Sequence, residues 1–167
     1  SMGRSKGYNL LMSEDVLAAI DAIKKLGIKV KIHKDSCEIL GNGINGFKYK
    51  KNLIINARNS GTLGRLIIGL LIKSPNKIRI TGDKSLSKRD FSRVTKPLER
   101  FGVKFYYKTK NKLPLSILGT QSAKGIKYLE NKGSAQCKSA VMFAALNASG
   151  TTYIKAKKSR NHSELLF

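Results

Sequence analysis

In "SEDVLAAIDAIKKLG", which opens at Ser13, the apolar residues Val16, Ile20, Ile23 and Leu26 fall three or four positions apart. That spacing predicts one buried face of a helix. A serine cap, two acids in the first turn, two late lysines and a closing glycine mark its ends. Beyond Gly27, "IKVKIH" and "CEIL" are short alternating segments separated by "KDS", and they predict a hairpin. "NLIIN" predicts a further strand, the apolar run after Ser60 a helix, and "NKIRITG" another strand. No element is predicted before Ser13; "SMGRSKGYN" lacks an apolar signal-peptide stretch, and Ser1-Met2-Gly3 reads as a cloning remnant.

The order then recurs. "SKRDFSRVTKPLERFG" ends in Phe-Gly-Val as the first helix ends in Leu-Gly-Ile, and "VKFYY" with "PLSILG" repeats the hairpin. "GIKYLE", the helix "SAQCKSAVMFAALNAS" and "TTYIKA" follow in the places of "NLIIN", the Ser60 helix and "KIRIT". An offset of roughly 75 residues is too long for a solenoid and suits a duplicated α/β unit. Two units are expected, 13–82 and 83–156, with a third beginning at 157–167 in "SRNHSELLF". Ending there would leave Leu165, Leu166 and Phe167 without the rest of their packing face, so the chain is expected to be a fragment.

Composition narrows this picture little. At 167 residues, with 41% apolar and 26% charged positions, the chain has the make-up of a globular protein. Its longest apolar run, "LIIGLLI", falls short of the ~20 residues a bilayer helix needs. No membrane association is expected, and the cytoplasm is the expected location. Cys37, Cys137, His33 and His162 have no metal-ligand spacing, so no metal is expected and both thiols are read as small buried apolar groups. The net charge of +23 invites a nucleic-acid reading, but 25 of the 33 basic residues are lysines scattered along the chain. More informative is the absence of any acid between Glu38 and Asp83.

That acid-free segment holds "NARNSGTLGRLIIGLL". A glycine and hydroxyl residues open an apolar helix there, where free amides and the helix dipole can hold a phosphate or carboxylate. Gly61 would let such a ligand reach the backbone; the competing reading is that Asn59 or Ser60 only caps the helix. "GNGING" has the spacing of a dinucleotide loop, but neither the helix nor the acid about 20 residues later follows, so its glycines are read as turns. In "TGDKSLSKRDFSRV", Lys84, Lys88, Arg89 and Arg93 lie before or within the first turns of a helix, where cations oppose the dipole. Something anionic would remove that conflict, and the planar fork of Arg89 suits it better than the lysines. "GSAQCKSA" again opens a helix with hydroxyl and amide side chains.

Taken together and in this order, the segments resemble the 5-enolpyruvylshikimate-3-phosphate synthase family of enolpyruvyl transferases. Its "NAGNSGT-xx-R" loop is matched by "NARNSGTLGR", and its "TGDxSLSKRP" with "RVxxPLxxxG" by "TGDKSLSKRDFSRVTKPLERFG". "SAQxKSA" is matched by "SAQCKSA" and "SRDHTE" by "SRNHSE". The sequence departs from the pattern at Arg58 (usually glycine), Gly64 (methionine), Asp90 (proline) and Asn161 (aspartate). Although "GDKSLSKR" also looks like the family's amino-terminal "GDKSISHR", its flanks belong to the later segment, so Lys84 is not the catalytic lysine.

The resemblance implies an α/β (α+β) fold, an incomplete amino-terminal lobe of βαβαββ units that lacks the carboxy-terminal lobe. It implies transfer of the enolpyruvyl group of phosphoenolpyruvate to shikimate 3-phosphate, with no cofactor, in a monomer. Carried over position by position, Gly61, Thr62, Arg89 and Gln136 would meet phosphoenolpyruvate. Ser134, the backbone at Ala135, Gln136 and Ser159 would hold shikimate 3-phosphate, while Arg65 would brace the loop. Catalytic groups are expected in other segments, so this chain alone is expected to show no turnover. Two other readings compete: a sister transferase acting on a UDP-sugar, and a basic RNA- or DNA-binding module. "SLSKR" and "SAQCKSA" disfavour the first, and the lack of aromatic-rich basic motifs disfavours the second.

Overall fold

The computed structural model describes residues 2–166 and sets three small sheets around a central pair of helices. The first sheet holds β1 (Met2–Gly7), β2 (Lys29–Ile32) and β3 (Cys37–Asn42) in the order β1-β3-β2, with α1 (Glu14–Lys25) between β1 and β2. The second contains β4 (Ile54–Asn56), β5 (Ile78–Thr81), β6 (Lys104–Tyr107) and β7 (Leu115–Leu118), ordered β4-β5-β7-β6. α2 (Gly61–Leu70) links β4 to β5, and α3 (Ser92–Glu99) links β5 to β6. The third pairs β8 (Lys127–Glu130) with β9 (Tyr153–Ala156) in parallel across α4 (Ala135–Ala145), and α5 (His162–Leu166) follows.

The middle sheet by itself is a complete β-α-β-α-β-β unit, in which β4 and β5 run parallel and β5-β7 and β7-β6 antiparallel. The sequence repeat, divided after residue 82, separates β5 from its hydrogen-bonded neighbour β7. A tandem repeat fixes its period but not its starting point, and the middle sheet starts at β4. The alternation that predicts these strands is what fills the core: Ile78, Ile80, Leu115 and Ile117 point inward, while Arg79 and Ser116 face out.

α1 begins where its cap predicts, with the Ser13 hydroxyl accepting from the Val16 amide at 3.4 Å. Its deepest face differs from the expected one. Ala18, Ala22 and Leu26 are the buried positions nearest full coverage, whereas Val16 and Ile23 are half-buried. Small residues face inward where α1 packs against α2, β4 and β2. Gly27 follows with φ +85, and a Cβ there would fall 2.3 Å from the Lys48 carbonyl oxygen, so only glycine closes this helix.

β1 has no counterpart among the predicted elements. Its residues are exposed except Gly7, and it exists because it pairs with β3 from Met2↔Asn42 to Gly7↔Cys37. Leu165 and Leu166 are exposed, while Ser1 and Phe167 lie outside the described residues. Cys37 and Cys137 are both buried free thiols.

α2 and α4 form the centre. Ile67, Ile68, Ala140, Val141 and Ala144 are all buried to within 2% exposure. The two helices approach so closely that a Cβ on Gly69 would stand 2.2 Å from the carbonyl oxygen of Ala140.

Candidate functional site

Both central helices begin with a capping serine. The Ser60 hydroxyl accepts from the Leu63 amide at 3.1 Å, and that of Ser134 from the Cys137 amide at 3.3 Å. Each cap satisfies only one of the first free amides. Those of Gly61 and Thr62 on α2, and of Ala135 and Gln136 on α4, have no acceptor among the described residues. Ser60 is therefore a cap, as the plainer reading expects, and the amides beside it still face outward.

A cavity of about 420 Å³ lies against these amides, lined by Arg58, Gly61, Thr62, Arg89 and Gln136, with Glu14 and Asp15 of α1 on its far side. A Cβ built on Gly61 would lie 2.8 Å from Arg65 Nη1 and 3.0 Å from Arg89 Nη1. Two guanidinium groups thus converge on one point beside free amides. Arg89 forms no ion pair among the described residues. Burial, reinforced by the charges of Arg89 and Arg93, pulls the Arg65 pKa below its ordinary value. An arginine stays protonated regardless, so loss of a proton does not relieve the crowding and an anion would.

Arg65 acts as the brace expected of it. Its Nη1 donates to the Gly61 carbonyl at 3.1 Å and to Gln136 Oε1 at 2.9 Å, and its guanidinium stacks on Phe91, 5.2 Å from the ring centre. Gln136 Nε2 in turn donates to Thr62 Oγ1 at 2.9 Å. The two helix openings are therefore tied through one glutamine amide. Gln136 and Thr62 also border a second cavity of about 160 Å³, which Ala135, Ser139, Arg160 and His162 complete. Ser134 and Ser159 line neither cavity. The Ser159 hydroxyl is buried without a hydrogen-bond partner among the described residues, and Arg160 beside it lines the smaller cavity.

The basic segment does not form the long helix that the dipole argument assumed. Leu86–Lys88 is a single 3-10 turn, and α3 starts only at Ser92, so of the four cations Arg93 alone lies in its first turn. Its compensating charge belongs to this chain: Arg93 Nη2 meets Glu130 Oε1 at 3.2 Å. Asp90, at the usual proline position, accepts from the Ser92 amide at 2.6 Å, and that bond holds its carboxyl below the usual range. Gly64, the unusual residue of α2, sits where a Cβ would be 3.4 Å from the Phe91 ring. A methionine there would need Phe91 to move.

Glu130 escaped the sequence reading because its charge partner, Arg93, lies 37 residues away. Its carboxylate accepts from the Ser134 amide at 2.8 Å and the Lys132 amide at 3.3 Å as well as from Arg93. Burial pushes its pKa up, but these donors outweigh it and hold the carboxyl below its ordinary value. A depressed carboxyl stabilises the fold above its unfolded pKa and loses that contribution as pH falls through the folded one. Glu130→Gln is therefore expected to cost about 1–3 kcal/mol at neutral pH. The gap from the unsubstituted chain should close in acid, where that chain also carries a neutral side chain; melts at stepped pH check it. Lys138, equally invisible in the sequence, is buried and donates to Glu164 and to the Arg160 carbonyl at 3.0 Å. With the Ser139–Ser163 hydroxyl pair it fastens the 159–164 segment to α4.

Known proteins share this arrangement. A family model described as EPSP synthase (3-phosphoshikimate 1-carboxyvinyltransferase) matches residues 1–166. The 3-phosphoshikimate 1-carboxyvinyltransferase of Streptococcus mutans is 43% identical over 164 residues, 97% of this chain, and that of Streptococcus suis is 41% identical over the same length. The chain spans 38% of the length of both relatives. The solved EPSP synthase of Acinetobacter baumannii superposes with a TM-score of 0.92 at 34% identity, over 98% of this chain and 37% of its own. With a family model matched over residues 1–166 and a fold shared at a TM-score of 0.92, the chain belongs to the EPSP synthase family.

Proposed function

We propose that this chain supplies the anion-receiving wall of an enolpyruvyl transferase. That enzyme would move the enolpyruvyl group of phosphoenolpyruvate to shikimate 3-phosphate and release phosphate. The observation that carries this reading is the convergence of Arg65 and Arg89 on the side of Gly61 that has no Cβ, next to the Gly61 and Thr62 amides that lack an acceptor, with no carboxylate paired to Arg89 among the described residues. Phosphoenolpyruvate fits there, with Gln136 reaching across from α4. Shikimate 3-phosphate fits the opening of α4, where Ser134, the Ala135 amide, Gln136 and the unpartnered Ser159 hydroxyl supply donors. Fixed amides and cations of this kind stabilise phosphate and carboxylate charge without reorganising during the reaction.

The units 13–82 and 83–156, with the start of a third, then form part of an amino-terminal lobe. The groups that move protons belong to other parts of a cytoplasmic, monomeric enzyme, in which a second lobe closes on the ligands and excludes water. The chain on its own should release no phosphate from the two substrates, a result a phosphate-release assay checks directly. Binding is tested by titrating shikimate 3-phosphate and phosphoenolpyruvate into the labelled chain. Amide resonances of Gly61, Arg89, Ser134 and Gln136 should move, a UDP-sugar should leave them in place, and silence with both substrates sinks the reading.

Gly61→Ala tests the site and its brace together. Its new Cβ would displace Arg65 Nη1, which the Gly61 carbonyl and Gln136 hold, as well as Arg89 Nη1, so the melt should fall by about 1–2 kcal/mol. Phosphoenolpyruvate affinity should fall roughly tenfold, because both guanidinium groups are pushed from their shared point. Calorimetry on the variant reads the loss, and unchanged affinity removes Gly61 from the site.

A further inference from the structure

We propose that Arg58 is a third anion-binding residue of the larger cavity. It would meet the phosphate or carboxylate of a ligand already seated on the Gly61 amide and Arg89. The inference rests on the anion-site reading above and extends it to a residue for which the family pattern offers no precedent, since glycine usually stands there.

Three observations lead to it. First, Arg58 lines the cavity with Gly61 and Arg89. Second, its backbone has φ 50, a conformation that glycine takes freely and that burdens an L-residue. The main chain is pinned on both sides, because the Arg58 amide donates to Asn56 Oδ1 at 2.9 Å and its carbonyl accepts from the Asp83 amide at 2.7 Å. The loop cannot relax without releasing both bonds, so the strain persists in the folded chain. Strain held at a cavity wall, where an unstrained residue would serve the backbone better, points to a use for the side chain.

Third, the guanidinium is exposed and forms no ion pair among the described residues, although Glu14 and Asp15 border the same cavity. Neutralising those carboxylates is the competing role, and the absence of a pair with either speaks against it. With Arg58, the cavity presents a guanidinium on the loop before α2 as well as one on the segment before α3. A ligand with two charged groups, such as phosphoenolpyruvate, can meet both, and the planar fork of arginine suits phosphate and carboxylate alike.

The test compares the whole chain with Arg58→Gly, Arg58→Asn and Arg58→Lys. Glycine removes both strain and charge, so its melting temperature should rise by about 2–4 °C while phosphoenolpyruvate affinity falls about tenfold. Asparagine tolerates the same φ and should bind as weakly as glycine. Lysine keeps the charge but lacks the planar fork, so its affinity should fall between those of the unsubstituted chain and the glycine variant. Inorganic phosphate and pyruvate, titrated separately, show which anionic group Arg58 meets: the probe that loses affinity in Arg58→Gly identifies it. If the unsubstituted chain binds phosphoenolpyruvate and Arg58→Gly binds it equally well, this proposal is wrong while the anion site stands. Equal losses in the lysine and glycine variants overturn the role of charge. If the unsubstituted chain binds none of the three probes, the anion-site reading falls and this inference with it.

Discussion

Gly69→Ala is expected to destabilise the chain by about 3 kcal/mol, against the usual direction of such a change. In an ordinary helix interior, alanine is about 1 kcal/mol better than glycine. Here the added Cβ would lie 2.2 Å from the Ala140 carbonyl oxygen and 2.9 Å from its carbon. Those are main-chain atoms of a neighbouring helix, so no rotamer change can clear them. Either α2 and α4 separate, or one of them tilts and opens space around Ile67, Ile68, Val141 and Ala144. For a chain of this size the loss corresponds to a melting temperature lower by about 6–12 °C. Gly64→Ala is the internal control: its Cβ would rest in ordinary contact with Phe91 at 3.4 Å, and the melt should change by less than about 1 kcal/mol. A Gly69→Ala chain that melts at or above the parent would show that the helices do not meet as described.

The second large effect is expected at Arg65. Arg65→Met keeps much of the apolar stem but removes the donor shared by the Gly61 carbonyl and Gln136 Oε1, together with the stack on Phe91. Bonds to a charged donor contribute more than neutral ones, so a loss of about 2–3 kcal/mol should appear in urea melts. Ligand affinity should fall by more than tenfold for phosphoenolpyruvate and shikimate 3-phosphate together, because Gln136 is freed and borders both cavities. Arg65→Lys should recover part of the stability, since a single nitrogen, Nη1, serves both acceptors here. Lysine lacks the flat group that stacks on Phe91, so recovery should be incomplete. If Arg65→Met weakened one ligand and left the other untouched, the linkage through Gln136 would be refuted.

What the sequence made legible was local. The serine caps of α1, α2 and α4 act within three residues of the amides they serve, and the strand alternation of β5 and β7 needs no knowledge of a partner. Long-range pairing stayed hidden. β1 is polar and shows no alternation, so only the edge of β3 makes it a strand. The cations before α3 looked like a common set facing an anion, but Arg93 is balanced by Glu130, and nothing in either segment announces the other. Arg58 was visible as a departure from a pattern; its left-handed backbone was not. Gly61, Arg89 and Gln136 were singled out as expected ligand residues through an ordered set of motifs, and the closeness of Gln136 to α2 depends on α2 and α4 lying side by side.

The contact at Gly69 also constrains how this chain can change over generations. Because the obstructing atom belongs to the backbone, no substitution at Ala140 can act as a suppressor. Relief would require the whole of α4 to slide or tilt, and the same rigid rod carries Ser134 and Gln136 at its amino-terminal end. A repair deep inside the molecule would therefore be felt as misalignment at the surface proposed to receive anions.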